Sequence, residues 1–406
     1  MTDRTDAAGN GGSNQAATAA TPLIEREFLY PLFVFLAVAF PLIFLGYGAD
    51  NDSYGVLDAG VRTWLQANPY MSRHPGYWLY EALTLILSQL GSYVATNGVT
   101  LLLAAVVLWR CFHILRRQQV AHAGLWLLCL ALNPWFIVAA TTTMDYMWSL
   151  VCVVLCSDFF MQQRYPKAGI WGGLAASLRL GSVYALAGIF LGHLLQQPSL
   201  QRFRALVVAG VVLLCITSAH YMASWFEVDG NFSFLSAHMD GGSLWSLKMH
   251  AGRFLYKSVY LYGLLSAPVL AWIIVQGFIT RTFEFKLSGW SAMALGGSVG
   301  TMLMFAQYPI ETPYLLPFLC FFYLLLALQL RQVSKNSLWL LLATTVSYSL
   351  VSFPLAEPNH VGQASDATIG LRVTDGVLLA DIKQRWLLRG CGTQGCHIER
   401  TLPSPQ

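Results

Sequence analysis

FLYPLFVFLAVAFPLIFLGYGADNDSY, residues 28–54, is an apolar run that passes almost directly into a pair of aspartates. The apolar part, from about Phe28 to Leu45, is long enough as a helix to cross the roughly 30 Å hydrocarbon layer of a membrane. Asp50 and Asp52 follow within a few residues, at the point where such a helix leaves the lipid. The stretch therefore predicts a membrane helix with two carboxylates just beyond one end.

The composition of the chain agrees with a membrane protein. Of 406 residues, 56% are hydrophobic and only 11% are charged, whereas soluble domains carry about 25% charged residues. The apolar runs are long and unbroken, which favours helices over the short alternating segments of a barrel. The net charge of +4 is small and spread over short loops, so we expect no nucleic-acid partner.

The apolar runs predict an all-α, polytopic transmembrane bundle with about eleven spans. We expect residues 1–27 to form a disordered cytoplasmic N-terminus, residues 28–353 a transmembrane domain, and residues 354–406 an extracytoplasmic C-terminal segment. After the first run, the apolar stretches lie near Tyr93–Trp109, Gly124–Ala140, Met147–Met161, Ala168–Leu178, Ser182–Leu195, Ala205–Ala223, Ser258–Phe278, Ser288–Phe305, Tyr314–Leu330 and Leu338–Val351.

Charge predicts which side of the membrane each loop occupies. With the amino end inside, every short inner loop is basic, as the positive-inside rule requires, and most acids fall outside. This assignment needs residues 168–195 to form two short helices that reverse near Arg179 and Gly181. A single long helix there would reverse every later segment and would bury Arg179 in the membrane, which is costly. We therefore favour the hairpin.

Two outer loops and the outer tail are polar enough to carry function. In the first loop, Ser53–Gln66 and Gly76–Gln89 place apolar residues at helical spacing, which predicts two interfacial helices. In the tail, Cys391 and Cys396 are placed to close a small extracytoplasmic disulfide loop. A zinc site that used both cysteines would need further ligands, and the sequence offers His397 but no fourth residue.

Three acids on the outer side are candidates for catalysis. Asp50 and Asp52 are either solvated loop acids or a catalytic pair at the membrane boundary. Asp145 opens an apolar helix after a tight outer turn, so it is an N-cap, a catalytic residue, or both. Glu311 stands among three prolines before another helix, where it is a dipole partner or holds a substrate hydroxyl or a cation.

Cations on the same side could bind a phosphate. Lysine and arginine near a membrane often only reach the lipid headgroups, but cations that face acids can stabilise a phosphate leaving group. Arg73 and His74, in a turn between the interfacial helices, could meet a phosphate or an acceptor. The other cationic candidates are Arg179, Lys248, His250, Arg253 and Lys257.

One motif resembles a catalytic one by its letters alone. Gly296-Gly297-Ser298-Val299-Gly300 matches the nucleophile elbow of serine hydrolases, which requires a strand before it and a helix after it. Here it lies inside an apolar stretch. Small residues at this spacing predict close packing between helices instead.

This layout resembles the GT-C superfamily, integral-membrane glycosyltransferases that use lipid-phosphate-linked sugars. The resemblance rests on Asp50-Asn51-Asp52 in the first outer loop, the two interfacial helices after it, Asp145 in the second outer loop, and the hairpin that contains Gly172–Arg179. It covers roughly the first half of the chain, and the second half matches only as further helices and an outer tail. No motif selects one family within the superfamily, so donor sugar and acceptor stay open.

The resemblance implies a polyprenyl-phosphate sugar donor, inversion at the sugar carbon, and a glycan, lipid or protein acceptor on the outer face. By position, Asp50 or Asp52 would be the general base, and Asp145 would orient the acceptor or share a cation. Arg179 and the cations of residues 248–257 would hold the lipid phosphate. Some members bind a divalent metal and others do not; here Asp50, Asp52 and Glu311 offer oxygen ligands for Mg or Mn. A bacterial inner membrane, with the site facing the periplasm, suits this composition.

Two other classes stay open on the sequence. A transporter or lipid flippase often shows inverted repeats and charges near the membrane midplane, and neither pattern is visible here. The third reading is a non-catalytic subunit of an envelope-glycan machine, in which the acids are only solvated.

Overall fold

The computed structural model describes residues 15–66, 70–73, 75–196, 198–227, 247–283, 287, 289–330, 332–353 and 373–388. The predicted all-α class is confirmed, because fifteen α-helices make up most of this part of the chain. His74 and the cysteine pair Cys391 and Cys396 lie outside the described residues. The helices are α1 (Gln15–Ala39), α2 (Asn51–Gly60), α3 (Trp78–Arg117), α4 (Ala123–Ala131), α5 (Pro134–Thr141), α6 (Asp145–Met161), α7 (Tyr165–Leu178), α8 (Ser182–Gln196), α9 (Leu200–Glu227), α10 (Leu247–Tyr260), α11 (Ser266–Ile279), α12 (Gly289–Gln307), α13 (Leu316–Gln329), α14 (Lys335–Leu350) and α15 (Val377–Leu388).

The apolar helices make this an integral membrane protein, but the predicted count of eleven spans is not confirmed. Within the described residues, four helical segments are long and apolar enough to cross a membrane, or five if the bent pair α4–α5 forms one span. Other apolar helices, such as α8 and α11, have 15 and 14 residues, fewer than the roughly 20 that an upright span needs.

Local chemistry ends several helices where the site requires it. α1 gives way to the 3₁₀ turn Phe40–Phe44, and Pro41 lies at the start of that turn. Proline cannot supply the backbone donor that continues an α-helix, so α1 ends there. α1 itself begins at Gln15, within the range expected to be disordered. The single stretch predicted near residues 124–140 is two helices bent by 64°. At that bend Asn133 caps α5 by accepting a hydrogen bond from Trp135 N at 3.0 Å.

The two interfacial helices expected in the first loop have counterparts in the structure. α2 and the π-helical turn Val61–Leu65 cover the first. The front of α3 covers the second, and a kink at Gly91 and Ser92 separates it from the rest of that helix. Ser92 has φ +56°, a conformation that costs a residue with a side chain, and the chain changes direction there.

The predicted division of residues 168–195 is present, because α7 ends at Leu178 and α8 begins at Ser182. The two helices pack chiefly against different partners: α7 against α6 and α9, and α8 against α12. The close packing predicted for residues 296–300 is also found. A Cβ atom on Gly296 would lie 2.0 Å from the carbonyl oxygen of Gly188, and one on Gly188 would meet Gly296 O at the same distance.

Three hydrogen bonds fix the loop before α2 against the turn before α6. Asn97, buried on α3, donates to Gly46 O at 2.7 Å and accepts from Thr143 Oγ1 at 2.9 Å. The backbone N–H of Thr143 donates to Tyr47 O at 2.7 Å. These bonds bring the segments that carry Asp50 and Asp145 to the same end of the bundle.

A short C-terminal unit covers this end. Strand β1 (Val351–Ser352) pairs antiparallel with β2 (Thr374–Asp375), and α15 then packs on α5 and α14. The side chain of Arg385 on α15 is fully buried, and its Nη1 donates to Thr141 O at 2.7 Å.

Candidate active site

Asp50 stands at the start of α2. Its carboxylate accepts a hydrogen bond from Asp52 N at 3.1 Å and so caps the helix, which the aspartate side chain does well. The cap uses one oxygen of the carboxylate. The other lone pairs remain available at the helix end, where the first-turn N–H groups favour negative charge.

Asp50, Asp52 and Glu311 form a group of three carboxylates. One oxygen from each lies within 4.8 Å of the others. Glu311 precedes the 3₁₀ turn Thr312–Leu315 and makes no side-chain capping bond there. Its carboxylate lies instead beside those of Asp50 and Asp52. The structure thus brings Asp50 and Asp52 of the first loop together with Glu311, which stands 259 residues after Asp52.

The environment of Asp50 suits proton transfer near neutral pH. Its side chain is exposed to the cavity described below, yet it is surrounded on its other sides by protein atoms. Burial, followed by the charge of Asp52, raises the pKa of Asp50 to about 6. A carboxyl group with a pKa near the working pH can accept a proton and release it again.

A chain of ion pairs runs from Asp52 into the bundle. Arg73 Nη1 lies 2.8 Å from Asp52 Oδ2, and Arg73 Nη2 lies 3.4 Å from Asp145 Oδ2. Asp145 is fully buried and also pairs with Arg179, at 3.0 Å between Oδ1 and Nη1. The helix cap at α6 is Met144, so Asp145 does not act as the N-cap; it holds the charges of two arginines together.

Two tyrosines enclose the guanidinium group of Arg179. Its Cζ lies 4.1 Å from the centre of the Tyr146 ring and 4.4 Å from that of Tyr314, distances typical of cation–π contacts. Tyr146 Oη donates to Glu311 at 2.5 Å. Tyr146 therefore links the three carboxylates to the arginine pair.

Arg73 keeps hydrogen-bonding capacity. Within the described residues, its buried Nε and Nη2 atoms have no hydrogen-bond acceptor in good geometry. Guanidinium groups with unused donors bind phosphate with two parallel bonds. Arg73 thus has donor capacity beyond its ion pairs with Asp52 and Asp145.

A cavity of about 700 Å³ opens beside Asp50. Asp50 and Ser53 of α2 line one side, Trp135, Tyr146 and Tyr260 line others, and α15 completes it. Volumes of about 300–1,000 Å³ are usual for ligand sites. The cavity therefore has room for a substrate next to the acid with the raised pKa.

The cations of residues 247–260 lie on α10, and their exposure differs. Lys248 is exposed and Lys257 is half-buried. His250 Nε2 is hydrogen-bonded to Ala306 O, and the buried Arg253 donates to Pro309 O at 3.4 Å. α10 thus packs on the segment that leads to Glu311. The residue whose carbonyl Arg253 contacts, Pro309, stands two positions before Glu311 in the sequence.

Sequence reasoning missed the aromatic residues and α15. Tyr146 directly follows Asp145, and Tyr314 follows Glu311 by three residues. Aromatic neighbours of two candidate acids are a signal that could have found them. For α15 the signal is weaker: Asp381 and Arg385 stand one helical turn apart in an otherwise amphipathic segment.

Comparisons with known proteins give structural matches without sequence matches. No protein-family profile matches the chain, and no curated protein is similar to it in sequence. The apo crystal structure of ArnT from Cupriavidus metallidurans is similar, with a TM-score of 0.55, 16% identity, and coverage of 82% of this chain and 63% of that one. The same enzyme bound to undecaprenyl phosphate gives a TM-score of 0.56 at 15% identity, with coverage of 75% and 61%.

The chain thus spans about three fifths of the length of ArnT. The shared arrangement of helices confirms the fold expected from the sequence, the GT-C fold. At this identity the likeness concerns the fold, so the chemistry has to be argued from the residues described above.

Proposed function

We propose that this chain, which has the GT-C fold, is a membrane glycosyltransferase that moves a monosaccharide from a polyprenyl-phosphate donor to an acceptor hydroxyl, with inversion. One observation carries the proposal: a carboxylate with a raised pKa, Asp50, lines a substrate-sized cavity and lies beside Asp52, which pairs with Arg73. This is the arrangement that a sugar–phosphate transfer needs. The ArnT structure with undecaprenyl phosphate supports the donor class.

Asp50 is the general base in this proposal. It removes the proton from the acceptor hydroxyl as that oxygen attacks the anomeric carbon, so that the new glycosidic bond forms while the bond from that carbon to the phosphate oxygen breaks. The electron pair of the broken bond leaves with the polyprenyl phosphate. Asp52 raises the pKa of Asp50 and holds Arg73 in place.

The arginines bind the leaving phosphate. Arg73 has unused donors, and Arg179 is fixed in a planar orientation between Tyr146 and Tyr314. Asp145 acts on the substrate only through them, because it is fully buried behind both. Arg253 and His250 support the Glu311 segment in this proposal. Lys248, Lys257 and His74 are proposed as outer contacts for the lipid phosphate.

A divalent cation fits the three-carboxylate group. Asp50, Asp52 and Glu311 supply hard oxygen ligands close enough to share one ion, which suits Mg or Mn. When bound, such an ion would add positive charge beside the phosphate. Every role assigned above to a residue of the chain stands without it.

The proposed location is a bacterial inner membrane with the site on the periplasmic face, and residues 28–353 as the catalytic domain. The positive-inside pattern of the short loops supports this orientation. A disulfide between Cys391 and Cys396 belongs to the same proposal, since it requires an oxidising compartment.

The test is transfer from a radiolabelled polyprenyl-phosphate sugar in membranes. Asp50→Asn should lower the rate by about 10²–10⁴-fold, the range that a lost general base produces. Asp58→Asn is the matched control, because Asp58 lies on the same helix in a partly exposed pair with Arg62. Full activity of Asp50→Asn would remove Asp50 from catalysis. Uptake of the labelled lipid into sealed vesicles without covalent transfer would instead identify a flippase.

A further inference from the structure

The C-terminal helix α15 forms part of the wall of the cavity beside Asp50. Ala380, Gln384 and Leu388 line it. Gln384 Nε2 donates to Ala49 O at 2.8 Å, which is the carbonyl directly before Asp50. One face of α15 is thus bonded to the loop that carries the proposed base.

A buried arginine fixes α15 in this position. Arg385 Nη1 donates to Thr141 O at 2.7 Å and Nη2 to Thr141 Oγ1 at 3.1 Å. On its own helix, Arg385 pairs with Asp381 at 2.6 Å. Asp381 lines the cavity, but this pairing neutralises its charge. The position of the cavity wall is therefore set by bonds to α5 rather than by loose apolar contact.

The residues that line the cavity differ in charge from the arginine pair, Arg73 and Arg179. Among the described residues that line it, two are acids, Asp50 and Asp381, and none is lysine, arginine or histidine. Arg73 and Arg179 lie instead at Asp52 and Asp145. The site is thus divided: the arginine pair lies on one side, and the carboxylate of Asp50 with aromatic rings lies on the side of the cavity, where Asp381 is neutralised by Arg385.

We propose that this cavity binds the acceptor, that the acceptor is a saccharide with no negative charge near its reacting hydroxyl, and that α15 selects it. The inference rests on the proposed transferase function and names the substrate class of its second site. A neutral or amino-substituted sugar meets no like charge here, whereas a phosphate or carboxylate on the same sugar would face Asp50, and juxtaposed like charges are strongly disfavoured.

The aromatic lining favours a ring-shaped ligand. Trp135, Tyr146 and Tyr260 offer flat apolar surfaces with polar edges, which fit the apolar face of a sugar ring and its hydroxyls. Ser53, Thr142 and Gln384 supply hydroxyl and amide groups among these rings. A few placed polar groups in a largely apolar cavity are typical of a site that orients a small ligand.

The experiment measures binding without turnover, in lipid nanodiscs, by saturation-transfer NMR. The probes are methyl glucoside, its 2-amino derivative and its 6-phosphate. We expect the first two to bind and the phosphate to bind at least tenfold more weakly. Ala380→Trp, which fills the cavity from α15, should weaken the first two probes at least tenfold. Lys383→Gln should not, because Lys383 pairs with Asp375 in an exposed position.

A charge variant makes the test sharper. Gln384→Lys places a cation in the cavity wall and should improve binding of the phosphate probe relative to the neutral one. Thermal unfolding of each variant in the same nanodiscs identifies any that has not folded.

Equal or tighter binding of the phosphate probe by the unmodified protein would overturn the proposal. So would unchanged binding in folded Ala380→Trp, or no binding of any probe. The transferase proposal fails differently: the probes would bind as expected, and no acceptor would receive sugar from the polyprenyl-phosphate donor.

Discussion

The substitution Asp52→Asn tests the proposed base through its neighbour. The carboxylate oxygens of Asp50 and Asp52 lie within 4.8 Å. At that distance a unit charge changes the free energy of ionisation by about 0.9 kcal/mol in water and by about 3.5 kcal/mol at the effective permittivity near a protein surface. These energies correspond to about 0.6 and 2.5 pH units.

The structure limits how much the charge of Asp52 can raise the pKa of Asp50. The larger figure exceeds the whole rise that takes the pKa of Asp50 to about 6, and burial, not Asp52, is the largest cause of that rise. We therefore expect Asp52→Asn to lower the pKa of Asp50 by about 0.6–1 unit. Asp50 must be ionised to act as a base, so the activity of the unmodified protein should rise with pH through about 6. The variant should reach half of its maximum at a correspondingly lower pH.

The assay is the initial rate of sugar transfer from a polyprenyl-phosphate donor in nanodiscs, measured from pH 4.5 to 8. Asp58→Asn removes a carboxylate from the same helix and should leave the midpoint where it is. A midpoint that stays in place or moves upward in Asp52→Asn would refute the assignment of Asp50 as base, even if both variants lose activity overall.

Three further substitutions test the supporting residues. Asp145→Asn leaves two guanidinium groups without their shared counter-charge, so we expect it to lower the free energy of unfolding by about 3–5 kcal/mol and to lower the melting temperature in detergent; an unchanged melting temperature would contradict the pairing. Arg179→Lys keeps the charge but loses the planar stack, so the KM for the donor should rise about tenfold, and a lysine variant with unaltered KM would remove this residue from phosphate binding. Arg385→Ala leaves Asp381 buried and unpaired, which should cost about 3 kcal/mol of stability, whereas Lys383→Ala, in an exposed pair, should change it by less than about 1 kcal/mol; equal losses would show that the buried anchor is not special.

The parts of the site that lie at helix ends could be predicted from the sequence. Asp50 and Asp52 follow an apolar run, Asp145 opens another, and Glu311 precedes a third, so the end of the bundle that holds them could be predicted. However, the position of a helix end in the sequence does not show on which side of the bundle axis its side chains lie. That is why the prediction did not separate Glu311, which joins the first-loop pair, from Asp145, which joins the arginines.

The span count and α15 could not be predicted for a different reason. Apolar composition counts every hydrophobic stretch alike, but α8 and α11 are apolar helices of only 15 and 14 residues, shorter than an upright span needs. In α15 the decisive contact is one arginine that reaches a carbonyl 244 residues earlier in the chain. A contact between residues so far apart in the chain produces no periodic pattern in the sequence.

The Asn97 bonds to Gly46 and Thr143, with the bond from Thr143 to Tyr47, make the two acid-bearing segments one rigid piece. Membrane helices tilt when the bilayer becomes thinner or thicker, and a site assembled from independent helix ends would stretch with them. Here the segments of Asp50 and Asp145 are joined by the Asn97 side chain and by one backbone hydrogen bond. We therefore expect the spacing between these acids to stay the same in bilayers of different acyl-chain length, because the whole end of the bundle moves together.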